Sequence, residues 1–402
     1  MNKSINFIVI VFLIGCSGSG ERPALNDVDT VQEEVPAHLK DVKNLKVLAD
    51  LNPSEEITFT KFQTFGEIYP QLLSPQLGFG REMAVDTNGF VYRADKAERT
   101  IWVFDNDGEL VKKLGRDGRG PGEFQSIVAL DVFQDQLVAF DFNLSRISTF
   151  STTNHELQEV LTIDYKAWGK KVKGSFKRPL TVKVIGPEKY LISTLLEKED
   201  GNYVQSYYQM NADGQIVSDE IMETKNLESH TFTPKNGPPL GSIKLPFSTQ
   251  GQIAVSASGQ IHHINTGEFF VNRYDSQGEF LQAIYYPFEK ASLNEDAFEE
   301  EQHPNMQPVY DDVNFPETWP ALESLLVDDE NNTWVSTIVE DQSVREWYIL
   351  NESGAVKATF VWPIESEITI VRNGKMYAEE KDSETEAKSI VSYELEYESL
   401  SP

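Results

Sequence analysis

Between residues 82 and 115 the chain reads EMAVDTNGFVYRADKAERTIWVFDNDGELVKKLG, with apolar side chains recurring at every second position in short runs. The runs are rich in Val, Ile, Phe, Tyr and Trp, and they are broken by Thr-Asn-Gly, a short polar loop and Asn-Asp-Gly. A period of two interrupted by Gly-containing turns predicts four short antiparallel strands, each half-buried, joined by tight hairpins. The pattern returns in degraded form over 127–163, 180–222, 251–287 and 322–363. The last hairpin carries glycine at Asp107-Gly108, Asp213-Gly214, Gln277-Gly278 and Ser353-Gly354, while the unit at 127–163 has Thr-Thr-Asn-His instead. Glycine supplies the positive φ that such turns demand.

The tail SEITIVRNGKMYAEEKDSETEAKSIVSYELE supplies only three strands, and ITFTKFQTFGEIYP at 57–70 offers a fourth. One N-terminal strand completing the last sheet is how a circular array of repeats removes its open edges. The predicted fold is therefore all-β: a six-bladed β-propeller over 57–402, built of four-stranded antiparallel blades, the last closed by an N-terminal strand. Two connectors are long. That at 223–250 is rich in Pro, Asn and Gly, and that at 288–321 contains FEKASLNEDAFEEEQ, which predicts a short helix. Loops of this length in a compact array serve as lids, binding loops or docking arms, or pack over a face.

The ends change the picture from a fold to an address. Lys3 and the apolar run 5–14 form a stretch too short to span a bilayer and shaped like a secretory signal over 1–15. It closes on LIGC, which resembles a bacterial lipobox, so Cys16 is the expected lipidation site. Cys16 is the chain's single cysteine, which leaves no intramolecular disulfide. The polar run that follows predicts a flexible tether over 16–56, too poor in apolar surface to offset its ordering entropy. Ser17 after the cysteine points by the same resemblance to an outer-membrane anchor. The net charge of −29 repels nucleic-acid phosphates and excludes a general nucleic-acid partner.

GRDGRGPGEF at 115–124 carries the most glycine. A phosphate-binding loop would need G-x-x-x-x-G-K-[ST] leading into a helix, whereas strand-like text follows here. Together with ALDV, QLVAFD and RISTFS downstream, GRGPGEF resembles the NHL-type six-bladed β-propellers, in particular Bacteroidetes-type lipoproteins of that fold. The resemblance is strong over residues 80–151 and extends beyond them only as strand–turn pattern. It implies fold and placement, not an activity. It also implies a blade-to-blade joint, in which Phe124 plugs the seam between neighbouring blades.

In four-stranded blades the outer-to-inner connectors and the middle hairpins open on one face around the channel. Arg81, Arg93, Arg99, Arg116, Arg119, Arg146 and Trp168 fall there, with Arg178, His262 and His263. The arginines suit bidentate contacts to a carboxylated or sulfated ligand. Equally, they could pair with Asp95, Glu98, Glu123 and Asp141 and stitch the blades together. Trp168 and Trp319, in connectors, suit stacking on a sugar ring or a partner surface. No nucleophile motif or zinc spacing occurs among the histidines, so no catalytic residue, metal ligand or resident cofactor is expected. Calcium stays open, because DNDGE at 105–109 begins like an EF-hand loop without completing one. The expected role is a monomeric binding or scaffold module whose partner is a glycan, an anionic small molecule or an envelope protein. The rival is a lactonase- or lyase-type propeller with a divalent metal in its channel.

Overall fold

The computed structural model describes residues 35–66, 82–174, 176–199, 202–226, 229–232, 241–295, 298, 313–381 and 388–400. Cys16 and Arg81 lie outside them; of the stretch 288–302 expected to form a short helix, 288–294 are not helical and Ser292 bridges Thr318, while 296, 297 and 299–302 lie outside the described residues.

Six four-stranded blades follow one another around a ring. Blade 1 is Met83–Val85, Val91–Asp95, Thr100–Phe104 and Leu110–Leu114. Blade 2 is Ile127–Phe133, Gln136–Asp141, Arg146–Ser151 and Leu157–Thr162. Blade 3 is Phe176–Gly186, Lys189–Glu197, Tyr203–Asn211 and Met222–Lys225. Blade 4 is Gly251–Val255, Ile261–Asn265, Phe270–Tyr274 and Phe280–Tyr285. Blade 5 is Leu322–Val327, Thr333–Ile338, Val344–Leu350 and Val356–Pro363. Blade 6 is Ser366–Arg372, Lys375–Lys381 and Lys388–Ser399, with Glu55–Phe65 as its outermost strand. That strand pairs antiparallel with Lys388–Ser399 from Glu55↔Ser399 to Phe65↔Ile390, so the expected closure holds.

The core is divided into six parts, one in each seam. Trp102, Phe104 and Met83 of blade 1 pack on Phe65, Ile370 and Tyr377 of blade 6, and the other seams repeat this arrangement. This corrects the expectation of half-buried strands. All five residues of Val91–Asp95 and of Thr100–Phe104 are buried. A blade lies between two others, so both faces of its middle strands are covered and only outer strands such as Leu110–Leu114 meet water.

The hairpin glycines take the predicted conformation, with φ of 79° at Gly108, 76° at Gly214, 83° at Gly278 and 73° at Gly354. The residue three positions earlier completes the motif. Asp105, Asn211 and Asp275 each accept two backbone N–H bonds through one side-chain oxygen. DNDGE is thus a turn whose acid is spent on the backbone.

The tether expected over 16–56 ends earlier. Leu45–Val47 adds a fifth, parallel strand to the outer edge of blade 4, beside Phe280–Tyr285. Val35 and Leu39 are buried against Tyr285, with Val42, Leu45 and Val47 around them. These apolar residues are scattered through polar text, but gathered on one side they cover a sheet edge, which composition alone hides. The two long connectors meet over blade 4, where Phe247, Phe298, Phe315 and Trp319 form a small aromatic cluster. Among the described residues no helix is long and apolar enough to cross a membrane.

Candidate functional site

The joint at 115–124 is built around Glu123. One carboxylate oxygen accepts the Gly120 N–H at 2.7 Å and the other accepts Arg116 Nε at 2.8 Å. The Gly120 bond, then Arg116, hold the Glu123 carboxyl below its ordinary range. Phe124 is fully buried in the seam of blades 1 and 2, as expected, with its ring 6.2 Å from that of Phe150. A Cβ on Gly115 would lie 2.4 Å from the Phe124 ring, so the plug needs glycine there.

The arginines are not gathered into one site. Arg99 pairs with Asp117 and Arg116 with Glu123, both at the surface. Arg146 is buried and donates to the carbonyls of Arg119 and Glu123, holding the joint from below. Arg119 contributes that carbonyl while its own side chain is exposed. Arg178 lies over the Phe142 ring at 4.0 Å. Asp95 and Asp141, expected as ion-pair partners, accept backbone N–H groups instead. Trp168 is 5% exposed, and its indole N–H donates to the Gly214 carbonyl at 2.8 Å. It cannot stack on a ligand, because 164–172 folds back onto the seam of blades 2 and 3 and buries it.

His262 and His263 point to opposite faces of one strand, as alternation requires. His262 Nδ1 lies 2.8 Å from Thr333 Oγ1 in the seam of blades 4 and 5. Arg273 donates to the same hydroxyl and to the carbonyls of Leu350, Asn351 and Glu352.

The chemistry concentrates at a cavity of about 600 Å³ on the expected connector face, at the channel mouth between blades 4, 5, 6 and 1. Of the expected residues that are described, only Arg93 lines it. Arg93 is 4% exposed and pairs with Glu379, 9% exposed, at 2.8 Å. Arg345 holds Glu323 with two bonds, Nε to Oε2 at 2.6 Å and Nη2 to Oε1 at 3.1 Å. Glu82, buried, pairs with Lys96. Glu367 and Lys388 complete the charged lining, and Trp362 stands at the rim, its indole N–H on the Ser366 carbonyl at 2.7 Å. Enclosure raises the pKa of Glu367 and the neighbouring Glu379 charge raises it further, while Lys388 and Arg93 pull it back. Among the described residues no group of three or more His, Cys, Asp or Glu is placed to hold a metal ion.

Sequence reasoning missed Glu82, Glu323, Arg345, Glu367 and Glu379 because it looked to connectors rather than to residues on or beside the strands: Glu82, Glu323 and Glu367 at the start of inner strands, Arg345 and Glu379 on middle ones. A signal was present. Gln252, Glu323 and Glu367 are each the second residue of the inner strand of blades 4, 5 and 6. The pairing register skips Glu323, a β-bulge that alternation cannot reveal and that re-aims a side chain.

Residues 84–173 match the model of a family described as "6-bladed beta-propeller". No curated protein matches the chain. A Bacteroides vulgatus protein of the DUF4221 family shares 11% identity, with 86% of this chain and 100% of that one covered and a TM-score of 0.50. A Bacteroides fragilis protein assigned as exported shares 13%, covering 88% of this chain and 99% of that one, with a TM-score of 0.44. Virginiamycin B lyase from Staphylococcus aureus shares 10%, covering 84% and 99%, with a TM-score of 0.38. At these identities the likeness concerns the fold alone. The chain is a six-bladed β-propeller whose residues 84–173 carry the sequence signature of the family of that description.

Proposed function

We propose that the protein is an exported, lipid-anchored propeller of the cell envelope that binds a polar ligand at the mouth of its channel. The carrying observation is the cavity itself, where Arg93 and Glu379 are paired and buried and a buried Arg345 holds Glu323, whose carboxylate is 40% exposed. Buried charge is costly unless paired, and pairing leaves spare N–H groups and lone pairs facing the opening. Such a lining suits a ligand that both donates and accepts hydrogen bonds, a saccharide or a short peptide, with Trp362 offering apolar contact at the rim.

The test is a set of oligosaccharides and small charged compounds screened by thermal shift and followed by calorimetry. A saturable ligand should emerge whose affinity falls about tenfold or more in Ser366→Trp, which fills the cavity, because displaced contacts of this kind are worth at least that factor. The same ligand should bind unchanged to the Arg116→Ala/Arg119→Ala variant. Binding that survives Ser366→Trp, or that the loop variant abolishes, would overturn the placement. The anchor rests on residues 1–16 and is tested separately. Cys16→Ser should leave the protein in the soluble fraction after cell lysis, and unchanged membrane association would count against lipidation.

A further inference from the structure

We infer that the cavity recognises its ligand through a cationic nitrogen, an ammonium group seated against Glu367. This rests on the cavity being the binding site and names the class of group it takes. Glu367 and Glu379 are direct cross-strand partners in the register of blade 6. Like charges in that relation are destabilising, so the arrangement works against the fold unless a cation lies between or beside them. Arg93 serves Glu379 at 2.8 Å, Arg345 serves Glu323 and Lys96 serves Glu82. Among the described residues Glu367 is the one carboxylate of this lining without an ion-pair partner.

A second observation comes from atoms of the same lining. Glu82 Oε2, Arg93 Nε and Ser366 Oγ are buried and meet no hydrogen-bond partner. A buried polar atom left unpaired costs about 1–3 kcal/mol, and three of them lie in the wall of this one cavity. Both signs are represented: the guanidinium nitrogen donates, the carboxylate oxygen accepts, and the hydroxyl does either. A ligand with an ammonium group and neighbouring hydroxyl or carbonyl oxygens matches that mixed character.

The other charge classes fit less well. A simple anion would face Glu367, which has no direct ion-pair partner among the described residues. A bare divalent cation needs several oxygens converging at short range, and here Arg93, Arg345 and Lys388 line the same space. An ammonium on a polar body keeps its charge at Glu367 and spreads the rest over the paired groups. Amino sugars and peptide amines share this chemistry.

The two sources separate in one calorimetric experiment. One arm uses a glucosamine dimer and its N-acetylated counterpart, the other a lysine-containing dipeptide and its fully N-acetylated counterpart. In at least one arm the free amine should bind saturably, acetylation should weaken binding by about thirtyfold, and Glu367→Gln should do the same, as expected when one partner is removed from a direct charge pair on the cavity wall, where Glu367 is exposed. Glu367→Gln should also melt at the same temperature as the parent protein or higher, since it relieves repulsion with Glu379. Equal binding of acetylated and free probes, full binding to Glu367→Gln, or no binding of either amine at millimolar concentration would each overturn the inference. The cavity reading is judged apart from it, because a neutral ligand lost in Ser366→Trp but kept in Glu367→Gln would leave the site standing and remove only the ammonium.

Discussion

Replacing Arg93 with methionine should cost about 3–5 kcal/mol of folding stability, the penalty for leaving one half of a buried ion pair behind. Glu379 would remain 9% exposed, directly across the strand from Glu367, with its cation gone. Adding Glu379→Met to the variant should return most of the loss, because two apolar side chains of similar length carry no orphaned charge. Urea denaturation of the parent, single and double variants reads both effects. A single-variant cost below about 1 kcal/mol would show that the pair contributes no more than a surface one.

The second large effect is acid sensitivity through His262. The ring is fully buried, and burial together with the neighbouring Arg273 holds its pKa down to about 3. Arg273 donates to Thr333 Oγ1, so the hydroxyl's own proton goes to His262 Nδ1 and the ring is neutral. Protonating it would place a second cation beside the guanidinium. The unfolded chain takes up that proton near pH 6.5, so stability is full above that value and is lost as pH falls below it. The loss amounts to about 2 kcal/mol between pH 7 and pH 5. His263, held to about 4 by burial, acts in the same direction. His262→Phe should flatten the stability profile over this range by about that amount relative to the parent protein. Parallel profiles for the two proteins would sink the assignment.

Most of the ring was legible in the sequence because its rules are local. The β-branched and aromatic runs in VYRAD and TIWVF, the glycine at four of the outer hairpins and the missing strand of the tail all follow from backbone geometry that short segments determine. The Phe124 plug was legible because GRGPGEF sits where one blade hands over to the next. The site was not, for three physical reasons. Glu323 lies in a bulge, where counting by twos fails. Arg345 and Glu379 belong to strands whose polar residues face a channel rather than solvent, a distinction that pattern does not carry. Trp168 sits in polar text, and only the fold of 164–172 onto a neighbouring seam reveals that it is covered. The strap at 35–56 was hidden in a similar way, by a composition averaged over residues that a sheet edge sorts onto one side.

The closure of blade 6 also sets an order of events. Glu55–Phe65 precedes every other strand of the ring along the chain, and Lys388–Ser399, its one strand partner among the described residues, follows them all. Blades 1 to 5 draw all four of their main strands from contiguous chain and can assemble as they appear, but the ring has to wait for its last strand. Until then Glu55–Phe65 is an unpaired edge strand, and the long-range pairing that satisfies it is a slow kind of contact to form. The charges along that strand, Glu55, Glu56 and Lys61, discourage it from pairing with other chains during the wait. A ring whose first and last strands share one sheet stays open until those two strands meet.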